Sequence, residues 1–326
     1  MRRNIRTDDL DLLRAHAVDG VIAVCVLVAL GIPESTVYRR CRARGPWQLL
    51  APGVVLLSTG TPTRRQYLRA ALLHGGRGTV ITGLDAARAH GLRRGELPEH
   101  VHVLIPGARQ VRSVRNIVVE RTGRLSPNPL IRDGLPVAPV ERCVLDAVRR
   151  LRDESDIAAI LTEPVQRRMI LKETLEEELE AGCRKGSATP RKVLHAIRDG
   201  VRSPAEFDVR TWWLSRPELE PVHFNVALFD EDGTFLGIAD AYDDQVGLVV
   251  PVDSVEQHFA TPQQVALTER QHRAYRAAGL HVLGIRPSRV RTDPDGLLRD
   301  VLDALRVAAA LPPARVTWRP DVAARA

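Results

Sequence analysis

Aromatic residues make up only 4% of the 326-residue chain, and cysteines number four. Cys25, Cys41, Cys143 and Cys183 form no CxxC pair, which excludes a zinc ribbon and argues against a disulfide framework. A reducing, cytoplasmic setting is therefore expected. The opening segment MRRNIRTDDLDLLRAH lacks the apolar core of a secretory signal. The longest apolar run, Gly20–Ile32, has 13 residues, short of the roughly 20 that a membrane helix needs. It reads as a buried helix, and no membrane partner is expected. Neither HGGRG (74–78) nor RKGSAT (184–189) has the GxxxxGK[ST] order of a phosphate loop. No internal repeat stands out.

Charge is present but unevenly spread. Residues 1–150 carry 24 Arg and no Lys against 12 acidic residues, a net of +12, while residues 151–326 are net −5. A basic half joined to an acidic half points to a polyanion-binding end and a different task at the other. An arginine-rich composition alone would raise Arg in both halves.

The basic half opens with an acidic amphipathic stretch, Asp8–Val18, then the apolar run. Pro33, Glu34, Ser35 and Thr36 form a helix-start signal. Val37 and Cys41, four apart, share one face. Arg39, Arg40, Arg42 and Arg44 give the rest a strongly basic character, and Gly45-Pro46 stops the helix. Residues 47–57, WQLLAPGVVLL, read as two strands around Ala51-Pro52-Gly53. Helix, glycine turn, basic helix and hairpin make a winged helix-turn-helix pattern. Such a second helix enters the major groove, where arginines meet phosphates and guanine edges. Ser35, Thr36, Tyr38, Arg39, Arg40, Arg42, Arg44 and Trp47 are the expected DNA-contacting residues, with Ser35–Arg44 as recognition helix and Trp47–Leu57 as wing. The plain alternative is a small helical domain with a solvated arginine face.

Residues 61–165 alternate helical and strand patterns: helices over 64–76 and 81–94, strands over 100–106 and 116–125, then a strand-turn-helix over 134–151. His100 and His102 share a strand face, but no cysteine or acid is spaced to complete a metal site. Residues 166–202 read as a charged helical linker, whose acidic run is a solvated face. From Ser203 the order is α-β-β-β-α-β-α, a small mixed sheet flanked by helices, with a hairpin at Asp232-Gly233. The fold class is thus α/β, α+β in its multidomain arrangement. The boundaries fall at 1–60, 61–165, 166–202, 203–312 and a tail, 313–326.

The hairpin leading into Asp240, the strand VVPVDS ending in Asp253, and the following helix and strand resemble the PD-(D/E)XK nuclease fold, and more closely its very-short-patch-repair branch. The segments STVYRRCRARGPWQLLAPGVVLL and ITGLDAARAHGLRR resemble AbiE-type antitoxins, which are winged-helix repressors. The first resemblance implies catalytic roles for Asp240, Asp253, Glu206, Glu256 and His258, with Asp240 and Asp253 as metal ligands. The family strand commonly reads Val-Glu-Val-Asp, so its central glutamate is Pro251 here. Such enzymes hold Mg²⁺ between carboxylates on adjacent strands. Proline offers neither a ligand side chain nor an N–H. The expectation is a DNA-binding regulator or antitoxin with a degenerate nuclease-like domain. It needs no cofactor, unless the nuclease-like site works, in which case it needs Mg²⁺. Duplex DNA is the expected partner; a cognate toxin and a second copy of the chain stay open. The alternatives are an Mg²⁺-dependent DNA endonuclease of a defence or repair system, and a toxin-neutralising protein that binds no DNA.

Overall fold

The computed structural model describes residues 10–126, 128–198, 203–253 and 262–320. It is a mixed α/β protein with three sheets, and the chain divides into two compact units, Met1–Arg150 and Leu151–Ala326. No helix among the described residues is long and apolar enough to cross a membrane.

The first unit begins with α1 (Leu10–Ala15), β1 (Val21–Ala23), α2 (Val24–Ala29), α3 (Glu34–Arg40), β2 (Gln48–Ala51) and β3 (Val54–Leu56). The three strands form an antiparallel sheet in the order β1-β3-β2. The apolar run expected to be one helix is split. Val21, Ile22 and Ala23 pair with Leu56, Val55 and Val54, and the helix starts only at Val24. Val21 and Ile22 are β-branched, and a partner strand is present to satisfy their backbone, so tertiary pairing overrides the helical reading. The β2–β3 turn forms at Pro52-Gly53, where Gly53 takes φ +74, a conformation that costs glycine little. Leu13, Ile22, Leu27, Ile32, Val37, Trp47 and Val55 fill the core between the helices and this sheet.

The chain continues through α4 (Arg64–Gly75), β4 (Val80–Ile81), α5 (Gly83–Ala89), β5 (Val101–Pro106), β6 (Ile117–Thr122), β7 (Leu130–Arg132), β8 (Leu135–Val137) and α6 (Val140–Val148). Their sheet has the order β6-β5-β4-β8-β7. The helix expected from residue 81 starts at Gly83, because Val80 and Ile81 join this sheet. Helix α4 opens with a reciprocal cap between Thr63 and Gln66. It lies against strands of both sheets. Arg65 and Arg69, one turn apart, both reach the Asp19 carboxylate, at 3.1 and 2.9 Å. They also donate to the carbonyls of Asp133 and Gly134 in the β7–β8 turn. Both sheets therefore belong to one unit.

A polar cluster joins β5, β6 and α6. Asp146 accepts from Thr82, Arg142 and Arg149. Glu120 meets His102 at 3.3 Å and Arg150 at 3.2 Å. The hydrogen bond from His102, then the charges of His102, Arg150 and Arg142, hold the Glu120 carboxyl down at about 2. A carboxyl lowered by folding stabilises the fold above its unfolded value of about 4.5, and that contribution fades as pH falls towards about 2. Glu120→Gln should flatten the acid limb of the stability profile in this window, measured by denaturant titration at stepped pH. A profile as steep as that of the wild type would show that Glu120 is not anchored this way.

The second unit starts with α7 (Glu154–Gln166), α8 (Lys172–Ala181) and α9 (Ala188–Arg198). The stretch expected as a linker has its own buried side chains, Leu175, Leu179, Val193, Leu194 and Ile197. There follow α10 (Pro204–Leu214), β9 (His223–Phe229), β10 (Phe235–Asp243), β11 (Leu248–Val250), α11 (Pro262–Ala277), β12 (His281–Val282), α12 (Arg289–Thr292), α13 (Pro294–Ala309) and β13 (Thr317–Pro320). The sheet order is β12-β11-β10-β9-β13, antiparallel except for the parallel β11–β12 pair. The expected tail beyond residue 312 thus contains a strand. Trp318 packs on the apolar face of β9 and β10, and β13 covers the β9 edge that would otherwise stand open.

Candidate nucleic-acid interface and nuclease-like cleft

Helix α3 turns Val37 into the core, with Cys41 half-buried just past its end. Ser35, Tyr38 and Arg39 are exposed on its other side, Arg42 and Arg44 in the turn that follows it. Thr36 and Arg40 are half-buried. Arg44 takes φ +65 in that turn, carrying the chain away from the helix axis. Seven of the eight expected DNA-contacting residues therefore reach the surface wholly or in part. Trp47 does not. It is only 1% exposed and is among the largest fully buried side chains. The Arg40 guanidinium lies over its ring, 5.0 Å from the centroid. The physical reason is size: a three-stranded sheet under two short helices needs one large plug, and the indole supplies it.

From Ser35 to Leu84 there is no Asp or Glu, and there are eight Arg. Their uses differ. Arg64 forks onto Asp85, at 2.8 and 2.6 Å, and Arg65 and Arg69 hold Asp19. Arg39, Arg42 and Arg44 are the exposed arginines around α3, and Pro52 at the β2–β3 turn is exposed as well.

In the second unit, Asp240 on β10 and Asp253 just beyond β11 are both half-buried. The β10–β11 ladder runs from Asp243↔Leu248 to Ala241↔Val250 and stops before Pro251. Beyond it, the Val252 N–H donates to Asp240 Oδ2 at 2.7 Å. Asp253 donates its own N–H to the Ile285 carbonyl at 2.8 Å, and Ile285 donates to the Pro251 carbonyl at 2.9 Å. Glu206 is used at the start of α10. Its N–H donates to Ser203 Oγ, and Ser203 Oγ donates back to Glu206 Oε1 at 2.9 Å. Ser203 is thus the helix cap, and its hydroxyl holds the Glu206 carboxylate. Glu256 and His258 lie outside the described residues.

Two residues not singled out from sequence pack against β10. Gln271 and Tyr275, one turn apart on α11, are linked by a 2.6 Å hydrogen bond. Gln271 also donates to the Ile238 carbonyl on β10 at 2.9 Å. It lies against the β-bulge at Gly237, whose φ of +147 and crowded approach exclude a side chain. Burial raises the Tyr275 hydroxyl well above its usual range, and the charge of Asp240 adds to this. The only sequence signal was a polar pair at i, i+4, which resembles any solvent-facing helix pair.

Among the described residues, no group of three or more His, Cys, Asp or Glu side chains converges in a way that holds a metal ion. The described residues alone do not make up an Mg²⁺ cage: Pro251 supplies no ligand, Asp240 Oδ2 accepts a backbone N–H, and the Glu206 carboxylate accepts from Ser203. His102 is likewise turned to Glu120 rather than to a metal partner of His100. Asp240 has a clear structural role instead, accepting the Val252 N–H where the β10–β11 ladder has ended. Asp240→Ala should cost about 1 kcal/mol, for an unmet half-buried donor, while Asp240→Asn, which keeps an acceptor, should cost less. Urea unfolding of the two variants checks this; equal losses would mean that the 2.7 Å bond contributes nothing.

No family model matches the chain, and no curated protein matches it. Among solved structures, the RV2827C protein from Mycobacterium tuberculosis is similar over 61% of this chain and 78% of that chain, with 17% identity and a TM-score of 0.42.

Proposed function

We propose that the chain is a DNA-binding regulator of antitoxin type. Its first unit reads duplex DNA through α3 and the β2–β3 turn, and its second unit keeps a nuclease-like frame without a working metal site. The element order α1-β1-α2-α3-β2-β3, with the sheet order β1-β3-β2, supports a winged helix-turn-helix reading. The observation that carries the proposal is the outward basic edge of α3. Arg39, Arg42 and Arg44 are exposed around a helix whose opposite face is pinned in the core, with no acid between Ser35 and Leu84. Arginines so placed reach phosphates and guanine edges, and the missing acids leave the attraction unopposed. In the second unit, the order α10-β9-β10-β11-α11-β12 supports a nuclease-like frame, and the engaged Asp240 supports loss of cleavage.

The test is a fluorescence-anisotropy titration of the full chain on duplex DNA at several salt concentrations. Arg39→Ala and Arg42→Ala should each weaken binding and lower the log–log salt slope by about one unit per lost phosphate contact. Arg40 is a poor choice of variant because its guanidinium also covers Trp47. Affinity and slope unchanged in the double variant would overturn the assignment.

A further inference from the structure

A cleft of about 410 Å³ lies in the second unit, apart from Asp240 and Asp253. Its wall on α10 is a stripe of Asp208, Thr211, Trp212 and Ser215. These positions follow the i, i+3, i+4, i+7 spacing of one helical face. Residues 152–155 at the start of α7 face it, with Val290 and Arg291 of α12. Phe207 and Trp212 border it from the core side, at 2% and 5% exposure.

The charged groups of the cleft divide into used and unused. Asp153 caps α7 through the Asp156 N–H at 2.9 Å. Glu154 pairs with Lys192 at 2.7 Å. Asp208 has no such partner: its direct contact is a 3.3 Å hydrogen bond from Ser155 Oγ. It is half-buried, and burial pushes its carboxyl above the usual range although Arg291 opposes the shift. Arg152 and Arg291 are exposed and hold no direct ion pair among the described residues. Trp212 is 5% exposed, and its indole N–H has no hydrogen-bond partner. A polar helix stripe that faces solvent would need no explanation. Here the stripe faces a recess, and a half-buried carboxylate in it has one long hydrogen bond.

We propose that this cleft binds a small ligand that joins a planar pair of N–H donors to an anionic group, the chemistry shared by free arginine and guanine nucleotides. A carboxylate takes two parallel N–H bonds from a guanidinium or from the N1 and N2 edge of guanine. Arg152 and Arg291 take the carboxylate or phosphate at the other end. The volume lies in the range of small-ligand sites, roughly 300–1,000 Å³. The site is independent of the DNA reading, since none of its residues lies in the first unit.

Calorimetry on the full chain tests it with L-arginine and guanosine monophosphate as probes. L-lysine and adenosine monophosphate serve as controls, because each keeps the charge but lacks the paired planar donors. One of the two probes should bind, and comparison of the two identifies the source. Its control should bind about tenfold more weakly or worse. Asp208→Asn, nearly isosteric, and Arg291→Ala, at an exposed position, should each weaken binding by about tenfold or more without lowering the melting temperature. Trp212→Phe should keep the binding heat while reducing the ligand-induced change in tryptophan fluorescence. No heat from either probe would overturn the proposal. So would equal binding of probe and control, or binding that Asp208→Asn leaves unchanged.

Discussion

The burial of Trp47 fixes how the first unit meets its surroundings. Its indole fills the space between α2, α3 and the small sheet, beside Ile32, Val37 and Val55. With Val37 inside and Arg40 lying across the ring, α3 cannot roll about its axis without opening a void. Its remaining face therefore presents Ser35, Tyr38 and Arg39 outward, with Arg42 and Arg44 in the turn beyond. Removing so large a buried side chain typically costs several kcal/mol, a large share of a domain's stability. A residue expected to touch DNA instead determines which neighbours are free to do so. The α4 arginines extend the same constraint, because Asp19 just before β1 is held by Arg65 and Arg69. The helix that supports the larger sheet thereby also anchors the smaller one.

In the second unit the governing constraint is the end of the β10–β11 ladder. The ladder stops at Ala241↔Val250, and the Asp240 carboxylate takes up the next β10-facing amide, that of Val252. The acid that the family resemblance assigns to a metal is thereby tied to the backbone. At the start of α10, Ser203 caps the helix and its hydroxyl holds a second acid expected at the site, Glu206. Catalytic and structural uses of an acid look alike in sequence, and the backbone partner separates them.

Local signals were the legible ones. The Pro33–Glu34 start of α3, the turn at Pro52-Gly53, the hairpin at Asp232-Gly233 and the closing helix α13 were all readable from turn chemistry and periodicity. What was not readable depended on distant partners. Val21–Ala23 looks helical until β3 is beside it, and Val80–Ile81 until β5 and β8 are. Thr317–Pro320 reads as a tail until the β9 edge is known. Trp47 could equally cap a wing or fill a core, and only the volume left by its neighbours decides. Asp208 carried no motif, because its meaning depends on α7 and α12, far from it in the chain.

The central claim is that the first unit reads DNA through the outward side of α3 while the Asp240 cleft takes no part. The most direct measurement is an amide nuclear magnetic resonance titration of the labelled full chain with a short duplex. The account predicts shifts clustered at residues 35–44 and at the β2–β3 turn, with the amides of Asp240, Val252 and Asp253 unmoved. Shifts centred on residues 240–253, with α3 silent, would contradict it.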